Sequence, residues 1–183
     1  MDLIISTLQF EAASDLANQT LARFSDAKGH YNNTLNSHLR GKIGEIAVTS
    51  VLEALEYRVE SLFADLDKMA LADIVVAGKT RVEIKTWSLE YWPEMGRCIA
   101  VDQLSKLQKK SDCIMWCAST AKMAPGMQVK INGWNFMADV SAAPRRWTGP
   151  ANGRKVYNYQ IENDKVRGFD EFQEYLNSPE HNS

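Results

Sequence analysis

The sequence lacks long hydrophobic runs and paired cysteines. No apolar segment approaches the ~20 residues that a transmembrane helix needs, and residues 1–5 lack the features of a secretory signal peptide. Cys98, Cys113 and Cys117 are odd in number, and Cys113 and Cys117 would lie ~13 Å apart along a strand, too far for one disulfide or one metal ion. These absences predict a cytoplasmic protein with reduced, mostly buried thiols.

An excess of positive charge is also lacking. The formal net charge is −2 and the sequence pI is about 5.9, which argues against a protein that coats nucleic acid. Two basic clusters are present, one at Lys106, Lys109 and Lys110 and one at Arg145-Arg146-Trp147 followed by Arg154-Lys155. Such clusters usually face solvent, and their less common role is contact with a phosphate backbone.

The length of 183 residues with 45% hydrophobic content is that of one domain with its own core. An N-terminal helix is predicted at residues 6–26, where apolar residues occur at Leu8, Ala12, Leu16 and Leu21. Residues 1–30 are thus expected to form a helical extension that packs on the domain or on a second subunit, as in a homodimer. Hydrophobic periodicity further predicts strands at 57–62, 72–76, 80–87, 112–118 and 156–161, helices at 35–55, 101–110 and 169–176, and a hairpin over 127–140 that turns at Asn132-Gly133.

Two short predicted strands carry the strongest indication of function. Glu83 and Lys85 alternate with Val82 and Ile84, so both charged side chains point to one face, roughly 7 Å apart, while Val82 and Ile84 face the core. Asp73 lies ten residues before Glu83, at the start of the preceding strand. Carboxylates from adjacent strands with a neighbouring ammonium suit a hard divalent cation and a phosphodiester, and therefore predict phosphodiester hydrolysis.

The register of this hairpin decides whether the two carboxylates can meet. A two-residue turn at Gly78-Lys79 would pair Asp73 with Ile84 and point Asp73 away from Glu83. A shared site requires an odd-numbered loop, such as Ala77-Gly78-Lys79, or a bulge between the carboxylates. A second acidic-x-Lys tripeptide, Asp26-Ala27-Lys28, has no strand context and indicates only a polar helix end before Gly29.

The helix predicted at 35–55 carries a third acidic candidate. Apolar residues recur every four positions along it and predict one buried stripe. Gly41 and Gly44 each cost about 1 kcal/mol of helix propensity relative to Ala, which indicates close approach to another backbone or a ligand. Glu45 lies beside the stripe, where it faces either a cleft or water, and water is the commoner environment for a lone helical Glu.

In this order, the Gly-x-x-Gly-Glu helix, the Asp73 strand and the Glu83-Ile84-Lys85 strand resemble the PD-(D/E)xK nuclease superfamily over roughly residues 35–140. Ala72 replaces the Pro that usually precedes the aspartate, and the Gln-x-x-x-Tyr helix of one branch is missing because Leu107 follows Gln103. The resemblance implies a three-layer α/β, restriction-endonuclease-like domain with a mixed central sheet flanked by helices.

The resemblance also implies an activity: a Mg²⁺-dependent deoxyribonuclease, an endonuclease on DNA, with Mn²⁺ able to replace Mg²⁺. Asp73, Glu83 and the Ile84 carbonyl would hold the metal, and Glu45 would complete the shell through water or a second ion. Lys85 would orient or activate the attacking water. Clustered carboxylates without a cation should repel one another, so metal should stabilise the fold.

Two other interpretations stay open. The chain could be a catalytically inactive module that keeps the nuclease fold and binds nucleic acid or a partner. It could also be a structural α/β domain whose hairpin charges form a surface ion pair worth ~0.2–1 kcal/mol. This last interpretation predicts that Asp73 and Glu83 share no face.

Overall fold

A computed structural model describes residues 1–23, 34–65, 67, 71–149 and 155–178. The helices within these ranges are α1 (Thr7–Arg23), α2 (Leu35–Ala54), α3 (Trp92–Met95), α4 (Val101–Lys110), α5 (Met137–Ala142) and α6 (Phe169–Asn177), with 3₁₀ turns at Leu62–Ala64 and Asn163–Lys165. The strands are β1 (Asp2–Ile4), β2 (Val59–Ser61), β3 (Ile74–Val76), β4 (Thr80–Ser88), β5 (Cys98–Ala100), β6 (Cys113–Ser119), β7 (Gln128–Phe136), β8 (Arg145–Thr148) and β9 (Val156–Gln160).

The strands form a mixed six-stranded sheet and a small antiparallel one. The large sheet has the order β1-β7-β6-β4-β3-β2, and the small sheet has the order β5-β9-β8. In the large sheet β4 and β6 are parallel and every other pair is antiparallel. A parallel pair needs a crossover connection, and the chain between β4 and β6 includes α4. The predicted mixed α/β class is therefore confirmed.

Two hydrophobic clusters cover the two faces of the large sheet. One joins α1, α2 and α6 to inward residues of the strands, including Val82 and Ile84 of β4. The other joins α4, α5 and the small sheet to Ile114 and Trp116 of β6. Since alternate residues of a strand point to opposite faces, the β4 residues between the core positions point toward the side of α4.

Helix α2 forms where the four-residue periodicity predicts it. Thr34 caps its N-terminus, accepting a hydrogen bond from the Ser37 backbone, while the Ser37 hydroxyl accepts one from the Thr34 N–H. Its central stripe, including Leu39, Ile43 and Ala47, is buried. Within the described residues no helix is both long and apolar enough to cross a membrane.

The predicted hairpin over residues 127–140 is wrong. Residues 128–136 form one strand, and α5 follows it at Met137. Trp116 pairs with Gly133 and Cys117 with Ile131, so Asn132 is the extra residue of a β-bulge. Gly133 has φ +136°, and a Cβ there would lie 2.2 Å from the Arg167 carbonyl oxygen. The Asn-Gly pair therefore bends a continuous strand instead of reversing it.

The N-terminal segment also differs from its prediction as a purely helical extension. β1 pairs with β7 and forms one edge of the large sheet. The helix α1 follows as predicted, but Leu8 is 78% exposed, and the buried residues are Ala13, Ala17 and Thr20. Small side chains line the contact with the rest of the domain. Strands β5 and β8 were not predicted, and residues 26–30, Arg154 and His181 lie outside the described residues.

Candidate functional site: a carboxylate and lysine cluster at the β3–β4 hairpin

The β3–β4 hairpin has a three-residue loop. Val76 pairs with Thr80, so Ala77, Gly78 and Lys79 form the connection, and Ala77 and Gly78 have φ values of 52° and 75°. This odd-numbered loop is the one that a shared site requires. Ile74 pairs with Val82, which is the first pair of the ladder, and the backbone N–H of Asp73, just before β3, also donates to the Val82 carbonyl. Asp73 lies before the first pair of this register, so the contacts of its own backbone and side chain decide where it points.

Hydrogen bonds to β4 fix Asp73 immediately before β3. Its backbone N–H donates to the Val82 carbonyl at 3.1 Å, and its carboxylate Oδ2 accepts from the Ile84 backbone N–H at 2.7 Å. Ile84, whose carbonyl is a candidate metal ligand, is therefore the same residue whose N–H binds the Asp73 carboxylate. This hydrogen bond holds the Asp73 side chain against β4 through Oδ2. The second carboxylate oxygen, Oδ1, does not take part in it.

The electrostatic environment of Asp73 favours its neutral form. Burial raises its pKa most, and the nearby carboxylates of Glu83 and Glu45 raise it further. The ammonium groups of Lys85 and Lys110 act in the opposite direction without cancelling the effect, so the pKa reaches about 8. The negative charges of Glu83 and Glu45 therefore act on Asp73.

Glu83 is the most enclosed member of the cluster, with its side chain only 3% exposed. Lys85 forms an ion pair with Oε1, and the Lys110 Nζ lies 2.6 Å from Oε2. Burial by itself would raise the pKa of Glu83, but the two ammonium groups outweigh it and lower the pKa. Glu83 is therefore a charged carboxylate with a lysine at each oxygen.

Glu45 is buried and paired, which overturns the expectation that a lone helical Glu faces water. The Lys42 Nζ lies 2.7 Å from Glu45 Oε2 one helical turn earlier, and it also donates to the Phe63 carbonyl at 3.3 Å. The exposed fractions of Lys42 and Glu45 are 4% and 8%. The charge of Glu45 raises the pKa of Asp73, and the role of Glu45 in the site stays a prediction.

Close packing of α2 on β4 brings Glu45 to the hairpin. A Cβ at Gly44 would lie 1.7 Å from the Thr86 Oγ1, so the helix approaches the strand only because residue 44 has no side chain. This confirms the predicted close approach at Gly44. At Gly41, by contrast, an added Cβ would meet nothing within 4 Å, so that glycine has no packing role.

Lysines balance the acidic charge of the cluster. Three carboxylates are accompanied by three ammonium groups, at Lys42, Lys85 and Lys110. Ion pairs therefore compensate Glu83 and Glu45, whereas Asp73 is the one of these three carboxylates without an ion pair among the described residues, and the other two still raise its pKa. Lys110 was predicted only as part of a basic cluster. Knowledge of the parallel register of β4 and β6 would have identified Lys110 as a partner of Glu83, because Glu83 pairs with Ile114, four residues after Lys110.

The donor atoms suit a hard cation in chemical type. Asp73 and Glu83 offer carboxylate oxygens and Ile84 offers a carbonyl, the ligands that Mg²⁺ takes from proteins. Within the described ranges, no group of three or more His, Cys, Asp or Glu side chains has a geometry that could hold a metal ion. A cation at Asp73 would favour the charged form of that carboxylate and would compete with Lys85 and Lys110 for Glu83.

The three cysteines do not take part in this cluster, and one histidine lies beside it. Cys98, Cys113 and Cys117 are free and buried, as predicted. His38 is half-buried one helical turn before Lys42; burial and the Lys42 charge lower its pKa, and the Glu45 charge acts in the opposite direction, so it lies at the edge of the cluster. No protein-family model, curated protein or solved structure matches this chain, so the site is interpreted from its own residues.

Proposed function

We propose that this protein is a metal-dependent nuclease that hydrolyses DNA phosphodiester bonds on a restriction-endonuclease-like fold. The observation that carries the proposal is the 2.7 Å hydrogen bond from the Ile84 N–H to the Asp73 carboxylate, which holds Asp73 beside the strand that carries Glu83 and its ion-pair partner Lys85. The element order supports it as well. The acidic helix α2 precedes the β2–β3–β4 meander, and α4 and the parallel strand β6 follow.

In this proposal the chain supplies ligands and positioning. Asp73, Glu83 and the Ile84 carbonyl hold Mg²⁺, and Glu45 completes the shell through water. The bound cation supplies electrostatic stabilisation of charge that develops on the phosphate. The hydrogen bond from the Ile84 N–H to Asp73 orients the carboxylate before any ligand arrives.

Lys85 is the residue proposed to contact the reacting groups. Its side chain is 32% exposed, whereas the Glu83 side chain that it contacts is 3% exposed, so its ammonium lies at the boundary between the cluster and solvent. From this position it can hold an attacking water or a phosphate oxygen while Glu83 anchors it. A point charge with three donors suits both tasks.

The test is cleavage of supercoiled, single-stranded and branched DNA in Mg²⁺ or Mn²⁺. Asp73→Asn, Glu83→Gln and Lys85→Met should each abolish cleavage, and Ca²⁺ should support DNA binding without turnover. Glu60→Gln, at an exposed position of β2 in the same sheet, is the matched control and should cut like the wild type. Wild-type rates in the three cluster variants would remove the catalytic assignment.

A second function has a specific observation in its favour. Glu83 already has a lysine at each oxygen, an arrangement that also suits a self-neutralised, catalytically inactive module that binds nucleic acid or a partner. This alternative expects no change in melting temperature at millimolar Mg²⁺ or Mn²⁺ and no cleavage of any substrate. A nuclease is expected to show both.

A further inference from the structure

The β8–β9 hairpin exposes aromatic rings on one face. Its register pairs Arg145 with Tyr159 and Trp147 with Tyr157, and residues that oppose each other across a ladder share a face. Trp147 is 67% exposed and Tyr157 is 39% exposed. Their ring centroids lie 5.0 Å apart at an interplanar angle of 32°, so each ring covers part of the other. We call this set of four residues the aromatic face.

Only one end of the aromatic face belongs to the protein core. Tyr159 is buried in the cluster with Ile114 and Trp116, and the Arg145 guanidinium lies 4.9 Å from the centre of its ring. Trp147 and Tyr157 lie beyond that cluster, where the hairpin extends away from it. Cross-strand packing accounts for the contact between the two rings, but it leaves two-thirds of the Trp147 surface in solvent.

The charge of the hairpin is positive in a chain whose net charge is −2. β8 and β9 contain no acidic residue, and Arg145, Arg146 and the exposed Lys155 lie on or beside them. Arg146 points to the opposite face, where it pairs with Glu162. Arg145 and the aromatic rings therefore offer a cation and open π surfaces to the same ligand.

The hairpin is connected to the carboxylate and lysine cluster by α4. Asn158, next to Tyr157, pairs with Ala100, and α4 begins at the following residue. The helix has 10 residues and ends at Lys110, which contacts Glu83, so it spans about 15 Å at 1.5 Å per residue. A ligand on the aromatic face is therefore about one helix length from the proposed scissile position.

We infer that the aromatic face binds single-stranded nucleic acid, with unpaired bases stacking on Trp147 and Tyr157 and Arg145 contacting a phosphate. This inference rests on the proposed nuclease function and names its substrate class, a DNA with a single-stranded segment. Stacking needs a base whose ring face is free, which an intact duplex does not offer along its length. The positive charge of the hairpin matches the phosphate backbone.

The test measures binding of a fluorescein-labelled oligothymidylate by anisotropy in EDTA, with a blunt duplex for comparison. Trp147→Leu should weaken oligothymidylate binding roughly tenfold to a hundredfold, because it removes the ring but keeps an apolar side chain. Trp147→Phe should bind nearly like the wild type. Leu8→Ala, which truncates another exposed apolar residue, should change nothing. Arg145→Gln should lower the salt dependence by about one phosphate contact.

Three results would overturn the inference. The first is equal oligothymidylate affinity in the wild type and Trp147→Leu, and the second is no measurable affinity in the wild type. The third is self-association of the wild type in sedimentation that Trp147→Leu abolishes while oligothymidylate binding stays unchanged. EDTA prevents metal-dependent cleavage, so binding is measured separately from it. Oligothymidylate binding in EDTA together with no cleavage of any DNA in Mg²⁺ would contradict only the proposed nuclease activity. Cleavage by the wild type, together with wild-type oligothymidylate affinity in Trp147→Leu, would contradict only the binding role of the aromatic face.

Discussion

Replacement of Lys110 by Met tests whether a lysine and a metal ion compete for Glu83. The Lys110 Nζ lies 2.6 Å from Glu83 Oε2, and the two side chains are 14% and 3% exposed. Removal of one partner of an enclosed pair costs about 3–5 kcal/mol when the remaining charge has no other partner. Glu83 keeps Lys85, so the loss should be nearer that of one charged hydrogen bond, about 1.5–3 kcal/mol.

This loss of stability is large enough to measure. For a chain of this size, 1 kcal/mol changes the melting temperature by roughly 2–4 °C, so Lys110→Met should melt roughly 3–12 °C below the wild type in EDTA. Lys109→Met is the matched control, because Lys109 is exposed in the same last turn of α4. It should melt within about 2 °C of the wild type, as surface substitutions commonly do.

Addition of Mg²⁺ should then distinguish the variants. In the wild type a cation must displace Lys110 from Glu83, whereas in Lys110→Met the Glu83 Oε2 is already available. Titration with Mg²⁺, followed by differential scanning fluorimetry, should therefore raise the melting temperature of Lys110→Met more, and at lower concentration, than that of the wild type or Lys109→Met. Equal metal-induced shifts in all three proteins would refute the competition, and equal stability in EDTA would refute the proposed strength of the pair.

Three further outcomes are expected. The pKa of Asp73 is about 8, above its ordinary value of 3.8, so in EDTA its contribution to stability is complete below pH 3.8 and is lost as the pH rises through 8. Urea titrations across this pH range should show the loss in the wild type and not in Asp73→Asn. The same pH profile in both proteins would contradict the prediction. Gly44→Ala should destabilise the fold by about 1–3 kcal/mol through its clash with Thr86, while Gly41→Ala, which meets no atom, should stabilise it by up to about 1 kcal/mol; chemical denaturation should rank the two variants in that order. The three buried cysteines should resist a thiol reagent at pH 7 until the protein unfolds, since burial raises the pKa of each thiol, and rapid labelling of the native protein would contradict their burial.

Local patterns were sufficient to predict the elements of the site. The four-residue periodicity predicted α2, and the alternation around Glu83 predicted β4 with Val82 and Ile84 toward the core, because both patterns follow from the repeat of one helix or strand. The same reasoning failed at Asn132-Gly133. A hairpin turn and a bulge both accept glycine with positive φ, and the approach of the Arg167 carbonyl, 34 residues away, favours the bulge.

Contacts between distant residues decided the composition of the cluster. The sequence left the β3–β4 loop open between two and three residues, and Asp73 is held next to β4 by hydrogen bonds with Val82 and Ile84 that the sequence did not indicate. Lys110 contacts Glu83 only because β4 and β6 are parallel neighbours, and Glu45 reaches the hairpin only because Gly44 packs on Thr86. The sequence by itself thus determined which charged residues lie on each element. The tertiary structure alone decided which opposite charges meet, because pairing depends on strand register and helix packing across the whole chain.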